Sequence, residues 1–128
     1  MAEIRHVLVA AQSTEGWPYS HVVLDDLYAH VSGVVSPDVP GAPAPSGDVE
    51  AEADIVLDAI AKTLAEVGLG LDRVVRVLVH LTDLDRMADL NRAYVRHFPP
   101  GRQPARTCVE SQKLAGGASV EITVTARR

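Results

Sequence analysis

The chain has 128 residues, 47% of them hydrophobic, with 12 basic and 17 acidic side chains and a formal net charge of -5. That length suits one domain, residues 1–128, with room for a real core but not for a large one. The acidic balance argues against a nucleic-acid surface, no apolar stretch approaches the roughly 20 residues of a bilayer span, and the single cysteine, Cys108, excludes an internal disulfide and an all-cysteine metal site.

The opening Met1-Ala2-Glu3-Ile4-Arg5-His6 lacks the basic head and cleavage pattern of a signal peptide, so the expected location is the cytoplasm. Ile4 to Ala10 alternates weakly and reads as an edge strand. Turn chemistry follows at Gln12 to Pro18, where Pro18 biases Trp17 toward extended backbone. Tyr19 to Leu24 and Leu27 to Val31 read as a hairpin about an Asp25-Asp26 turn. Gly33 closes it, either as a bulge or strand end or because something must approach the backbone there. Ser36 to Asp48 holds four prolines and two glycines and is a surface loop within the domain.

A helix is expected from Val49 to Val67, with Asp48 as N-cap, Glu50 and Glu52 at its positive end and Gly68 as its stop. Val56, Ile60, Leu64 and Val67, with Ile55 and Ala59, form its buried stripe, while Asp54, Asp58 and Lys62 face solvent. Val74 to Leu81 is the strongest strand, with Val75, Val77, Val79 and Leu81 on one face and Arg76, Leu78 and His80 on the other. His80, single among apolar neighbours, reads as hydrogen-bonded structure more than as a ligand or base. Thr82 to Asp85 caps a second helix from Arg86 to His97 with Met87, Leu90, Tyr94 and Phe98 inward, ended by Pro99-Pro100-Gly101.

Two strands close the chain. Pro104-Ala105-Arg106-Thr107-Cys108-Val109-Glu110 places Arg106, Cys108 and Glu110 on one face, and Val120 to Ala126 alternates after a Leu-Ala-Gly-Gly-Ala connection; the two read as a hairpin or as neighbouring strands. A fixed arginine fork suits a carboxylate or a phosphate. The plainer reading is an edge strand whose Arg106 pairs with Glu110 or Glu121. The whole order gives an α+β two-layer sandwich, a sheet of about six strands with two helices on one face. The other face is expected to be apolar and buried by oligomerisation.

Several segments, taken in order, resemble the Rid family (YjgF-type, reactive-intermediate deaminases). They are Pro18-Tyr19-Ser20, Val31-Ser32-Gly33, the proline-rich loop, the helix ending at Gly68 and Asp72-Arg73-Val74-Val75-Arg76. Leu81-Thr82-Asp83-Leu84, Leu90-Asn91-Arg92-Ala93-Tyr94, Pro104-Ala105-Arg106-Thr107-Cys108-Val109-Glu110, Lys113-Leu114 and Val120-Glu121-Ile122 complete the set. The resemblance implies a chorismate-mutase-like fold in a homotrimer, its sheets around a central barrel and its clefts between subunits. It implies a 2-iminobutanoate/2-iminopropanoate deaminase-like hydrolase that converts reactive enamines and imines, such as 2-aminoacrylate and its imine tautomer, to 2-oxo acids and ammonia. Arg106 matches the family's carboxylate anchor and Glu121 its water-handling glutamate. Tyr19, Ser32, Gly33, Asn91 and Cys108 match positions lining the cleft. No metal or organic cofactor is implied, because an imine is already electrophilic, and neither nucleic acid nor membrane is an implied partner.

Each assignment has a plainer counterpart: Glu121 as a counter-ion to Arg106, Cys108 as a small buried side chain and not a nucleophile, Tyr19 and Asn91 as structure. The chain also departs from the family at Trp17, His21, Val34, Ala59 and Ala115-Gly116-Gly117, changes expected around the cleft entrance. A bulky Trp17 and a titratable His21 suit a larger or aromatic imino acid. Two other functions stay open. One is a binding or regulatory trimer that uses the same cleft without turnover. The other is the ribonuclease or translation-inhibitor activity attached to the family, which the acidic balance and the lack of an aromatic or basic platform disfavour.

Overall fold

The computed structural model describes residues 3–128; the reading of the chain's start rests partly on Met1 and Ala2, which lie outside the described residues. Six strands form one mixed sheet in the order β1-β2-β3-β6-β4-β5, with β1 at Arg5–Val7, β2 at Val22–Leu24, β3 at Tyr28–Val34, β4 at Val74–Leu81, β5 at Ala105–Glu110 and β6 at Val120–Arg127. Two helices, α1 (Val49–Ala65) and α2 (Met87–His97), cover one face. Among the described residues, no helix is long and apolar enough to cross a membrane.

The core lies between that face and the helices. Val77, Val79 and Leu81 of β4 and Val120, Ile122, Val124 and Ala126 of β6 meet Val56, Leu57, Ile60 and Leu64 of α1 and Leu90 and Ala93 of α2, all buried. Leu57 joins this stripe, while Ile55 and Val67 of the expected stripe are only half-buried. Asp48 caps α1 by accepting the Ala51 amide at 3.1 Å. Gly68, at φ 79°, lets the Leu69 amide turn back to the Leu64 carbonyl at 2.9 Å, which ends the helix two residues before Val67. Glu52 is buried and brackets two loops by accepting the amides of Ser119 (2.9 Å) and Gly47 (3.2 Å). Asp54, expected in solvent, pairs with Arg96 and His97 of α2, whereas Asp58 and Lys62 form the expected pair at 2.9 Å.

Several expectations are corrected. β1 is three residues long; Val9, beyond it, is buried and its amide is held by His21. The hairpin turn spans Asp25 to Tyr28, because the Asp25 amide bonds the Tyr28 carbonyl at 3.0 Å and Leu24 pairs with Ala29; Leu27 is therefore in the turn and exposed. A bulge between Val74 and Arg76 turns Val74 into the core and leaves Val75 exposed. A short 3-10 turn, Leu84–Arg86, starts α2 one residue late. β5 and β6 are not neighbours. β6 inserts between β3 and β4, antiparallel to both, and β5 lies outside β4 and parallel to it through the α2 crossover. The reason is apolarity: β4, buried at every core position, belongs inside the sheet, while β5 carries Arg106 and Glu110 and takes the edge.

The uncovered face is not the apolar surface expected. Glu121, Thr123 and Thr125 of β6, His30 and Ser32 of β3 and Arg76 and His80 of β4 occupy it, with Leu78, Val23 and Val109 among them. The alternation is strict: each core residue of β6 alternates with a polar one.

The turn at Asp25 carries a pH signature. Its Oδ1 accepts the amides of Leu27 (2.8 Å) and Tyr28 (2.7 Å), and Oδ2 faces His30 Nε2 at 2.7 Å. The His30 hydrogen bond first, and then the two amides, hold the Asp25 carboxyl down at about 2. The folded value lies below the unfolded value of about 3.9, so this group stabilises the fold above roughly pH 4 and loses that contribution as pH falls toward about 2. Wild type should lose more unfolding free energy than Asp25→Asn between about pH 5 and pH 2. Equal losses in a denaturant series would show that the turn carboxylate is not linked to stability.

Candidate active site

The residues matched to the family fall into two groups on opposite faces of the sheet. The first surrounds Arg106. In the parallel β4/β5 register Arg106 sits beside Val77 and Cys108 beside Val79, so both point to the helix-covered face. Arg106 Nη1 donates to Asn91 Oδ1 at 2.9 Å, Nη2 lies 3.8 Å from Met87 Sδ, and its guanidinium carbon stands 4.6 Å from the centre of the Tyr94 ring. Asn91 and Tyr94 are three apart on α2 and share a face. With Val95, Gln103 and Pro104 these residues line an open cleft of about 390 Å³. Arg106 pairs with neither Glu110 nor Glu121; Glu110 instead accepts the Leu84 amide at 3.0 Å.

Burial governs the acidities in this group. It pushes the Tyr94 hydroxyl up to about 12, against the nearby Arg106 charge, and it raises the half-buried Cys108 thiol, again opposed by Arg106. A thiol held protonated is a poor nucleophile, which agrees with reading Cys108 as a packing residue, set against the core.

The second group lies on the open face, where β3 bulges between Val31 and Val34. The bulge is Ser32-Gly33. A side chain at Gly33 would place its Cβ 2.9 Å from the Glu121 carboxyl and 3.1 Å from Thr123 Oγ1. Both readings of Gly33 therefore hold: it is a bulge, and a carboxyl group fills the space its missing side chain leaves. Ser32 is half-buried and donates its hydroxyl to the Ser20 carbonyl at 2.7 Å, tying β3 to the Tyr19-Ser20 segment. Tyr19 stands at the end of that segment, and burial first, then the charges of Asp38 and Glu121, raise its phenol. Beside Tyr19 lies a cleft of about 80 Å³ walled by Leu8, Ser13, Thr14, Gly16, Trp17 and His21, where Leu8 and Trp17 are both well exposed.

Of the positions where the chain departs from the family, only Trp17 faces this cleft as an exposed side chain. His21 is buried, its Nδ1 accepting the Val9 amide and its Nε2 donating to the Ser13 carbonyl, each at 2.8 Å, so it ties loop to strand. Val34 and Ala59 lie in the core. His80 sits directly opposite Glu121 in the β4/β6 register, but its ring turns to Ser111 Oγ at 2.9 Å, the structural role expected for it.

With this geometry in hand, the comparisons decide the family. A family model described as endoribonuclease L-PSP matches residues 3–128. The chain belongs to this family, that of the Rid and YjgF proteins. Protein DfrA of Myxococcus xanthus is 37% identical over 111 residues, 85% of this chain and 84% of its own. The mitochondrial protein MMF1 of Saccharomyces cerevisiae is 32% identical over 108 residues, 84% of this chain and 73% of its own. Among solved structures, the Rid-family protein YyfA of Yersinia pestis superposes with a TM-score of 0.91 at 25% identity, covering 98% of this chain and 100% of that one. Yeast Mmf1 gives 0.88 at 28%, covering 98% and 99%.

Within this Rid-family fold, the structure adds residues that sequence reasoning passed over. Tyr94 and Met87 were assigned only to the α2 core face, and Gln103, Asp38 and Thr123 were given no role. The helical spacing of Met87, Asn91 and Tyr94 was the available signal, since residues at i, i+4 and i+7 make one stripe. Asp38 beside Tyr19 had no such signal, because the loop between β3 and α1 has no period.

Proposed function

We propose that the protein hydrolyses reactive 2-imino and enamine acids to 2-oxo acids and ammonia, at sites assembled between copies of the chain in a homotrimer. The observation that carries this reading is the oriented fork of Arg106 at the mouth of its cleft. Asn91 engages one edge and the Tyr94 ring one face, leaving the other N–H donors for a substrate carboxylate. A carboxylate so held fixes where the adjacent imine carbon lies.

Glu121, one of a few charged side chains on the open face, is the group to hold the attacking water. Water adds to the carbon of the protonated imine, R–C(=NH2+)–COO−, while Glu121 accepts one of its protons. The carbinolamine formed expels ammonia once its nitrogen takes that proton, giving R–CO–COO− and NH4+. Tyr19, its phenol raised by burial, then by Asp38 and last by the charge of Glu121, is a candidate neutral donor for the same site. Arg106 and Glu121 point to opposite faces of one sheet, and a substrate the size of 2-iminopropanoate cannot span it. A second copy must bring its Arg106 face to the open face of the first, which also accounts for the half-buried polar residues there.

No metal or organic cofactor is part of this scheme. The net charge of -5 favours a small-molecule substrate over the nucleic acid that the family's description names.

Release of ammonia and 2-oxo acid from imines generated in situ by an amino-acid oxidase tests the reading. Hydrolysis faster than in buffer is expected. No acceleration across small, branched and aromatic imines would leave a trimer that binds and does not convert, and would sink the hydrolase.

The Trp17 cleft bears on specificity. Its volume of about 80 Å³ is below the roughly 150 Å³ that encloses benzene, so it takes a short branched chain whole and an aromatic ring only if the ring lies out over Trp17. Trp17→Gly should lower kcat/KM by about 5- to 100-fold for branched and aromatic imino acids and little for 2-iminopropanoate, since a methylene or two of apolar contact is worth about 1–3 kcal/mol. A uniform change across these substrates would remove Trp17 from the specificity argument.

A further inference from the structure

We propose that Tyr94 is the positioning residue that presents Arg106 to its ligand, and that it acts through the face of its ring and not through its hydroxyl. The inference rests on the reading of Arg106 as a carboxylate anchor.

An arginine on an edge strand samples many rotamers, and a bidentate ligand binds tightly only when the fork is fixed beforehand. Among the described residues, the side-chain contacts that fix it come from one stripe of α2: Met87, Asn91 and Tyr94. Asn91 sets one edge of the guanidinium, and Met87 offers only a weak sulfur acceptor. The plane itself is set by Tyr94, whose ring lies within cation–π range at 4.6 Å.

That ring cannot yield. Tyr94 is 4% exposed, and it lies against Phe98, 3% exposed, with centroids 4.8 Å apart. Its hydroxyl is buried and, among the described residues, has no hydrogen-bond partner, so no protein contact of the hydroxyl orients the ring. Of the five N–H donors of Arg106, Asn91 and Met87 engage one each; of the other walls of the cleft, Val95 and Pro104 carry no side-chain acceptor, and Gln103 is tied through its amide nitrogen to the Phe98 carbonyl at 3.0 Å. The arrangement presents a planar donor fork of the kind that suits an anion.

The test measures calorimetric binding of 2-oxobutanoate and of its amide analogue to wild type, Tyr94→Phe, Tyr94→Leu and Arg106→Ala. Tyr94→Leu should weaken 2-oxobutanoate binding roughly tenfold and erase the preference over the amide, and Tyr94→Phe should restore both. In parallel, NMR of the Arg106 Nε–H group should give a ring-current-shifted, ordered signal in wild type and Tyr94→Phe.

Binding unchanged in Tyr94→Leu, alongside a loss in Arg106→Ala, overturns the proposal and leaves the anchor standing. No loss in Arg106→Ala overturns the anchor reading and the proposal with it. Should Tyr94→Leu not fold, the wild-type and Phe spectra decide alone: an unshifted, disordered Arg106 signal contradicts the stacking.

Discussion

If the protein hydrolyses imines as proposed, Arg106→Ala should lower kcat/KM by about 100- to 1,000-fold while the protein stays folded. Removing one member of a desolvated, hydrogen-bonded charge pair costs about 2–5 kcal/mol, and each 1.4 kcal/mol is a factor of ten. The folded chain itself loses much less. Arg106 makes one neutral hydrogen bond to Asn91 and one stacking contact to Tyr94, together worth about 1–3 kcal/mol. The substrate carboxylate carries the same charge in the ground state and in the transition state, so much of the loss appears in KM, with the misorientation of the imine carbon adding a fall in kcat. Arg106→Lys restores the charge without the planar fork and should fall between the two. Steady-state kinetics alongside thermal unfolding separates these effects; a variant that loses activity only in proportion to folded protein would remove Arg106 from the chemistry.

Gly33→Ala is the second large effect, and it should separate activity from stability. The φ of Gly33 is not in the left-handed region, so alanine fits the backbone, and the added Cβ meets the far end of the Glu121 side chain, which can swing away. Stability should change by less than about 1 kcal/mol, because the lost entropy of the unfolded chain offsets part of the crowding. In the proposed scheme the displaced carboxyl would no longer hold water at the imine carbon. A shift on the order of 1 Å at a reacting group costs as much as a hundredfold, so kcat should fall by about 10- to 100-fold. Full activity in a folded Gly33→Ala protein would mean that Glu121 does not need the space the bulge provides.

Where local chemistry decides an element, the sequence was legible. Asp48 and Gly68 bound α1 as their residue types require, and the period-two alternation of Val120 to Ala126 is the burial pattern of β6. Pairing was harder to read. A nine-residue gap between β5 and β6 suggests neighbours, yet the preference of β4 for two paired edges draws it between them. Bulges were hidden for a similar reason: Val75 looks like a core residue in any strict alternation, and only the register shift against β6 turns it outward.

The site was legible as a list of residues and not as a place. Arg106 and Glu121 were expected one strand apart and able to neutralise each other. The alternation of two strands that both flank β4 sets them on opposite faces. Val34 looked like a cleft residue from its position beside Gly33, but it lies in the core, and His21, though it walls the Trp17 cleft, is buried with both ring nitrogens bonded to the backbone.

The central claim, a site completed by a second copy, is tested most directly by mixing subunits. Arg106→Ala and Glu121→Ala homotrimers are each expected to be nearly inactive. Unfolded together in equal amounts and refolded, they should regain about one quarter of wild-type activity, since each interface then draws an intact Arg106 and an intact Glu121 with even odds. Recovery near that level supports sites built from two chains. A mixture no more active than its parents, with hybrid trimers present by mass spectrometry, would contradict the account.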